Sequence, residues 1–346
     1  MNRYATVDRD ADVALTCDLR SDTVTRPDAG MRAAIAEAEV GDDVFGEDPQ
    51  VQRLEAAMSE RLGKEAGLFV SSGTQGNLTA LLSHCARGEE IVVGQGYHVS
   101  TYEAAGASVL GGIALSSLTP QADGGLDPSE IAGAVKPDDF HFAITRLLSL
   151  ENTHDGKAIP LDRIAASVHA ARQAGLSVHL DGARYFNAVT ELGCADDALS
   201  TLADTVSVCL SKGLGAPIGS VLVGPSDLIA RARRWRKMLG GGMRQAGVVA
   251  AAGLYALEHN VQRLAEDHAK AAALAEALSD FGEVTQATNM VFFTPPDGAH
   301  DALRAHMAAH GITMGGGYGA IRLVLHKDVP ETAIAQVRQS AEAFFE

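Results

Sequence analysis

Lys212 stands at the end of Val206-Ser207-Val208-Cys209-Leu210-Ser211, an apolar, β-branched run that delivers a single amine to the glycines of Gly213-Leu214-Gly215. Upstream, the strand-like Leu176-Ser177-Val178-His179-Leu180 ends in Asp181-Gly182-Ala183-Arg184. The separation suits strand, crossover helix and strand, which sets acid and amine on neighbouring carboxyl ends of a parallel sheet. Pyridoxal phosphate needs that pair: a lysine to hold its aldehyde as a Schiff base, and an acid to keep its pyridine nitrogen protonated as an electron sink. Alone, Lys212 reads as a solvated lysine at a strand end and Asp181 as a helix N-cap. Together, beside glycines that permit close approach, they point to a cofactor site.

Other residues add to that site. Ser71-Ser72-Gly73-Thr74-Gln75-Gly76-Asn77 follows an apolar run and opens a helix, so its amides and hydroxyls suit one phosphate at the positive helix end. No lysine follows as in a Walker loop and the dinucleotide fingerprint is absent; helix capping alone is the other reading. His98, in Gln95-Gly96-Tyr97-His98, is placed to stack on a cofactor ring or to serve a structural role. Arg184 and Arg322 are candidate forks for a carboxylate, which guanidinium grips through two parallel hydrogen bonds. For Arg322 a surface cation on a strand is the alternative.

Elements must hold these groups in place. Helical periodicity at 51–62, 76–84 and 160–174 alternates with apolar runs at 66–70, 90–93, 141–150, 176–180, 205–210 and 220–223. The alternation predicts an α/β fold with a mostly parallel central sheet and helices on both faces. Beyond residue 225 a helix at 226–239, a glycine triplet and a long helical region reaching Leu278 lead into strands at 284–294, 311–314 and 320–325 beside helices at 300–310 and 330–345. That is a smaller α+β C-terminal domain. The expected division is an N-terminal arm at 1–16, a large cofactor-binding domain at 17–258 and a small domain at 259–346.

Composition narrows the class. A chain of 346 residues exceeds one ordinary core, which favours two domains. A formal net charge of −16 argues against nucleic acid and anionic membrane as partners. The densest basic cluster, Arg231, Arg233, Arg234, Arg236 and Lys237, reads as a solvated helix face. Four cysteines without paired-ligand spacing suggest neither a metal site nor a disulfide framework, and fit a reduced cytoplasmic protein. No secretory signal is evident near residues 1–13. The small-residue stretch 246–257 is too short for a membrane span and reads as a buried helix.

Taken with the motifs Asp18-Leu19-Arg20-Ser21-Asp22-Thr23-Val24-Thr25, Gly41-Asp42-Asp43-Val44-Phe45-Gly46-Glu47-Asp48-Pro49, Leu150-Glu151-Asn152-Thr153-His154 and Gly240-Gly241-Gly242-Met243-Arg244-Gln245, the chain resembles the low-specificity L-threonine aldolase family. These are pyridoxal-phosphate lyases of the aspartate-aminotransferase (type I) fold. The resemblance implies aldol cleavage of L-threonine, L-allo-threonine and related β-hydroxy-α-amino acids to glycine and an aldehyde, reversibly. It makes Lys212 the Schiff-base lysine, Asp181 the pyridine-nitrogen partner, His98 the ring-stacking residue, and Gly73 with Thr74 part of the phosphate cup. Ser21, Arg184 and Arg322 resemble the grip on the substrate carboxylate. His141 resembles a second histidine near the substrate hydroxyl, and either His98 or His141 is a candidate for taking the hydroxyl proton. Lys237 and Arg244 resemble groups that reach a neighbouring subunit's cofactor phosphate, implying a homodimer or homotetramer with active sites at the subunit interface.

Phe45, Asp155 and Leu325 depart from the common family residues tyrosine, asparagine and threonine. They leave side-chain preference open, including one for phenylserine. The rivals are another type I lyase activity, β-elimination, or transamination; from a different class, a nucleotide-binding module would use the Ser72-Gly73-Thr74 loop.

Overall fold

β-Branched runs form strands and the amphipathic segments between them form helices in the computed structural model, which describes residues 13–296, 298–316 and 319–346. Most of the expected N-terminal arm, residues 1–12, lies outside the described residues, as do two residues of the glycine loop before Arg322. The described strands are β1 (Cys17–Asp18), β2 (Ala66–Val70), β3 (Glu89–Gly94), β4 (Ala114–Leu118), β5 (Ile144–Glu151), β6 (Ser177–Gly182), β7 (Thr205–Cys209), β8 (Ser220–Gly224), β9 (Glu283–Ala287), β10 (Met290–Thr294), β11 (Ile312–Thr313) and β12 (Ile321–Val324).

The chain divides into two compact units. Pro27–Ser211 with Ala216–His259 forms one, built on a seven-stranded sheet in the order β2-β8-β7-β6-β5-β3-β4. β7, β6, β5, β3 and β4 pair in parallel, while β8 runs antiparallel to both β7 and β2. The mostly parallel sheet is therefore present, with one reversed strand. Ten residues separate Cys209 from Ser220, fewer than a crossover helix needs, so the chain can only return alongside. β7 and β8 are buried along their whole length, which is why they read as unbroken apolar runs and not as alternating ones.

Helices Gly73–His84 and Ser226–Met238 cover one face, packing Ala80, Ile229 and Ala232 on Leu68, Val70 and Leu222. Burying an aliphatic side chain of that size contributes ~1.5–3 kcal/mol. Gly76 permits the close approach: a Cβ there would lie 2.4 Å from Ser207 Oγ.

The second unit comprises Lys212–Gly215, Asn260–Glu346 and the described chain before Arg26 and including it. Its sheet has the order β12-β10-β9, all antiparallel, with β1 and β11 as a separate parallel pair. Helices Leu264–Leu278, His300–Ala309 and Thr332–Phe345 close over a core containing Leu19, Leu274, Phe293, Leu303, Leu323 and Val337. The segment 284–294, read as one strand, is a hairpin that turns at Thr288, whose φ is +47. The long helical region also breaks: Gly247–His259 ends before Asn260, whose amide donates to Leu214 O at 2.7 Å, and a new helix starts at Leu264. Among the described residues no helix is long and apolar enough to cross a membrane.

Candidate active site

Asp181 lies near the carboxyl end of β6, level with Glu151 of β5 and Ser207 of β7. It is 2% exposed. Its Oδ1 accepts from the Ala183 amide at 2.9 Å and its Oδ2 from Asn77 Nδ2 at 2.7 Å. It is not a helix N-cap, because the next helix starts at Tyr185 with Arg184 in the capping position. Two neutral donors offset only part of the cost of burying a carboxylate, so the site fits a cationic ligand group such as a protonated pyridine.

A network of buried polar groups surrounds it. Asn77 also donates to Glu103 Oε1 at 2.7 Å, and His98 Nδ1 lies 2.7 Å from the same oxygen. Ligating atoms of His98, Glu103 and Asp181 all fall within 4.8 Å of one another. Burial pushes the Glu103 carboxyl up, the His98 hydrogen bond opposes this, and the nearby Asp181 charge adds to it. The His98 amide donates to Glu151 Oε2 at 2.5 Å, and Glu151 Oε1 lies 3.0 Å from His154 Nδ1. Burial raises Glu151 against those two partners. For His154 burial works against the imidazolium, yet Glu151 and Asp155 outweigh it and raise its pKa. Tyr97 pins the segment from below: its hydroxyl donates to Gly124 O at 2.7 Å, and a Cβ on Gly94 would strike its ring at 2.6 Å.

The helix expected at 76–84 begins at Gly73, because Ser72 caps it by accepting from the Gln75 amide at 3.1 Å. Gln75 Oε1 returns the contact by accepting from the Ser71 amide and hydroxyl at 3.0 and 3.1 Å. Gly73 and Thr74 thus hold the first two helical positions, whose N–H groups have no intrahelical carbonyl and suit an anion. The buried Ser220 hydroxyl, which has no hydrogen-bond partner, sits beside Gly73. One phosphate fits this donor set.

The glycine triplet packs against the same turn, since a Cβ on Gly241 would lie 2.5 Å from the Gln75 side chain. Gly242 likewise abuts the Lys237 chain. Arg244 pairs with Asp42 at 3.1 Å. The basic cluster is not a solvated face throughout: Arg231 pairs with Asp227, Arg233 with Glu55, and Arg236, 3% exposed, with the buried Asp43 at 2.7 Å. Asp43→Ala should lower stability by about 3–5 kcal/mol, because it strands the Arg236 charge in the interior. Thermal or urea unfolding checks this, and a loss under about 1 kcal/mol would contradict it.

His141 stands apart. β5 begins at Ile144 and not at 141, and His141 occupies the preceding turn with its side chain 67% exposed and its Nδ1 2.6 Å from Asp139. The structure joins His98 and Asp181 in one network and leaves His141 out of it. Arg184 lies three residues beyond Asp181, partly buried.

The second unit carries Lys212, Ser21 and Arg322. The Lys212 carbonyl accepts from Thr25 Oγ1 at 3.0 Å and from the Gly215 amide at 2.8 Å, so the backbone under the amine is fixed. Ser21 Oγ caps the short 3₁₀ turn Asp22–Val24, accepting from the Thr23 amide at 3.2 Å. Arg322 is partly buried on β12, opposite Phe292 of β10.

Sequence reasoning missed Asn77, Glu103 and a role for Glu151. A polar Asn77 inside the buried helix Gly73–His84, and Glu103 five residues beyond His98, were the available signals.

A family model described as Beta-eliminating lyase matches residues 18–294. The low specificity L-threonine aldolase of Escherichia coli K12 is 49% identical over 329 residues, covering 94% of this chain and 98% of that protein. The probable low-specificity L-threonine aldolase 2 of Arabidopsis thaliana is 42% identical, covering 95% and 97%. Among solved structures, Leishmania major threonine aldolase superposes with a TM-score of 0.81 at 20% identity, covering 95% and 99%. Sphingomonas wittichii serine palmitoyltransferase gives 0.75 at 19%, covering 99% and 93%. At these identities the two structures establish the shared type I fold.

Proposed function

The chain belongs to the low-specificity L-threonine aldolase family, and from that premise we propose how its residues divide the work. The enzyme is a pyridoxal-phosphate-dependent lyase that cleaves L-threonine to glycine and acetaldehyde, with related β-hydroxy-α-amino acids as further substrates. The near-full-length match to the family carries this reading. The bound cofactor supplies the electron sink for the breaking Cα–Cβ bond.

The chain's own groups do the rest. Lys212 Nζ would hold the cofactor through its aldehyde. Asp181 keeps the proton on the ring nitrogen, a role supported by its burial and its two donors. The cap at Gly73 and Thr74 takes the phosphate, and His98 stacks on the ring. Ser21, Arg184 and Arg322 grip the substrate carboxylate. The β-hydroxyl proton would pass to His98 or His141 as the Cα–Cβ bond breaks and the aldehyde leaves, and the electron pair left on Cα would take up one proton to give glycine.

Lys237 and Arg244 reach the phosphate of a neighbouring subunit, in a homodimer or homotetramer. The exposed positions of Arg244 and His141 support an assembled site. Four free cysteines support a cytoplasmic setting.

Product analysis of the purified chain with cofactor and L-threonine tests the activity. Glycine and acetaldehyde are expected; ammonia and a keto acid would instead mark β-elimination. Arg322→Ala should raise KM for threonine about tenfold or more with a smaller change in kcat, the loss of one charged hydrogen-bond pair. An unchanged KM would leave Arg322 a strand residue only.

A further inference from the structure

The hydrogen bonds behind Asp181 run in one direction. Asn77 Nδ2 donates one hydrogen to Asp181 Oδ2 and the other to Glu103 Oε1, each at 2.7 Å. Asn77 Oδ1 must then accept, and His179 Nε2 lies 3.2 Å from it, which makes Nε2 the protonated nitrogen of that ring. His179 is fully buried, and burial pushes its pKa down to about 3, so the ring stays neutral and Nδ1 accepts from the Thr205 hydroxyl at 2.9 Å. Thr205 Oγ1 accepts in turn from His84 Nε2 at 2.8 Å, on a ring that burial also keeps neutral, with a pKa of about 4. Turning any one member over would set buried donor against donor or acceptor against acceptor.

At the front of this chain Glu103 Oε1 accepts from Asn77 and lies 2.7 Å from His98 Nδ1, from which a carboxylate oxygen can only accept. That places the hydrogen of the neutral His98 ring on Nδ1 and its lone pair on Nε2. We propose that Asn77 and Glu103 are positioning residues of the reaction centre. Asn77 holds Asp181 and Glu103 in one frame, and Glu103 holds His98 as the Nδ1–H tautomer, so that Nε2 is the nitrogen presented to the β-hydroxyl proton. The proposal rests on the reading of Asp181 and His98 given above. Neither Asn77 nor Glu103 acts on the substrate itself; Glu103 works through His98, and Asn77 through the two carboxylates.

Nitrogen-15 NMR of the full-length, histidine-labelled chain tests this, first without and then with cofactor, with the His98 signals assigned from His98→Gln. At a pH where His98 is neutral, the wild-type chain should show it as Nδ1–H. Glu103→Gln, which keeps an oxygen acceptor, should retain that tautomer, and Glu103→Ala should convert it to Nε2–H. Asn77→Ala should give mixed tautomers and a kcat about tenfold lower or more, with KM within about threefold. Asn77→Ser, which keeps one donor, serves if the alanine chain does not fold. A wild-type His98 found as Nε2–H would overturn the proposal, as would pure Nδ1–H persisting in both Glu103→Ala and Asn77→Ala. A failure of the threonine-cleavage reading would show in the products and leave these nitrogen shifts unmoved, so the two failures are distinguishable.

Discussion

Lys212→Ala is expected to lose threonine cleavage by a factor on the order of 10⁴ or more, the scale on which removal of a covalent group acts. The amine has no neighbouring substitute in the sequence: residues 205–223 contain no other lysine. The loop itself should survive, because Thr25 and Gly215 hold the Lys212 carbonyl and not its side chain. Retained circular dichroism and thermal unfolding with absent acetaldehyde release is therefore the expected combination. Cleavage within tenfold of the wild type, without an added amine, would remove Lys212 from the mechanism.

Asp181→Asn should lower kcat by roughly 10²–10³, the range for removing a buried electrostatic partner from a reaction centre. The substitution keeps the volume of the side chain, so it separates charge from packing. A neutral amide no longer favours a protonated ring nitrogen, and the electron sink weakens. It also turns its NH2 onto the Asn77 amide or, if rotated, onto the Ala183 amide, both of them donors, so some loss of stability accompanies the loss of rate. Steady-state rates at saturating cofactor decide the matter, and a kcat within threefold of wild type would count against Asp181 as the nitrogen partner.

What the sequence made legible follows from locality. β2 and β7 announce themselves as short apolar runs, and the helix starting at Gly73 announces itself through the serine cap and glycines. The direction of β8 is not local, since its apolar run reads alike both ways and only the short return from β7 reverses it. β4, with the sequence Ala-Leu-Ser-Ser-Leu and a partly exposed pattern, carries too weak an apolar signal to be found. The helix at Ala29–Ala36 is half alanine and buries only Met31, so its periodicity is faint.

The site shows the same division. Lys212, Asp181 and the turn at Gly73 sit at or just beyond the ends of strongly patterned strands, so their places in the fold were readable. Asn77 and Glu103 were not, because their meaning lies in contacts with Asp181 across 104 residues and with each other across 26. Asp43 and Arg236 form a buried pair across 193 residues, which no spacing rule reveals. His141 shows the converse: the resemblance names it, and its place before β5, exposed beside Asp139, gives it no partner in the His98 network.

The most direct measurement is borohydride reduction of the cofactor-loaded protein followed by peptide mass mapping. The account predicts the cofactor's mass on the peptide containing Lys212 and its absence after Lys212→Ala. A chain that takes up no cofactor, or one that carries the added mass on Lys237 or another lysine instead, would contradict it.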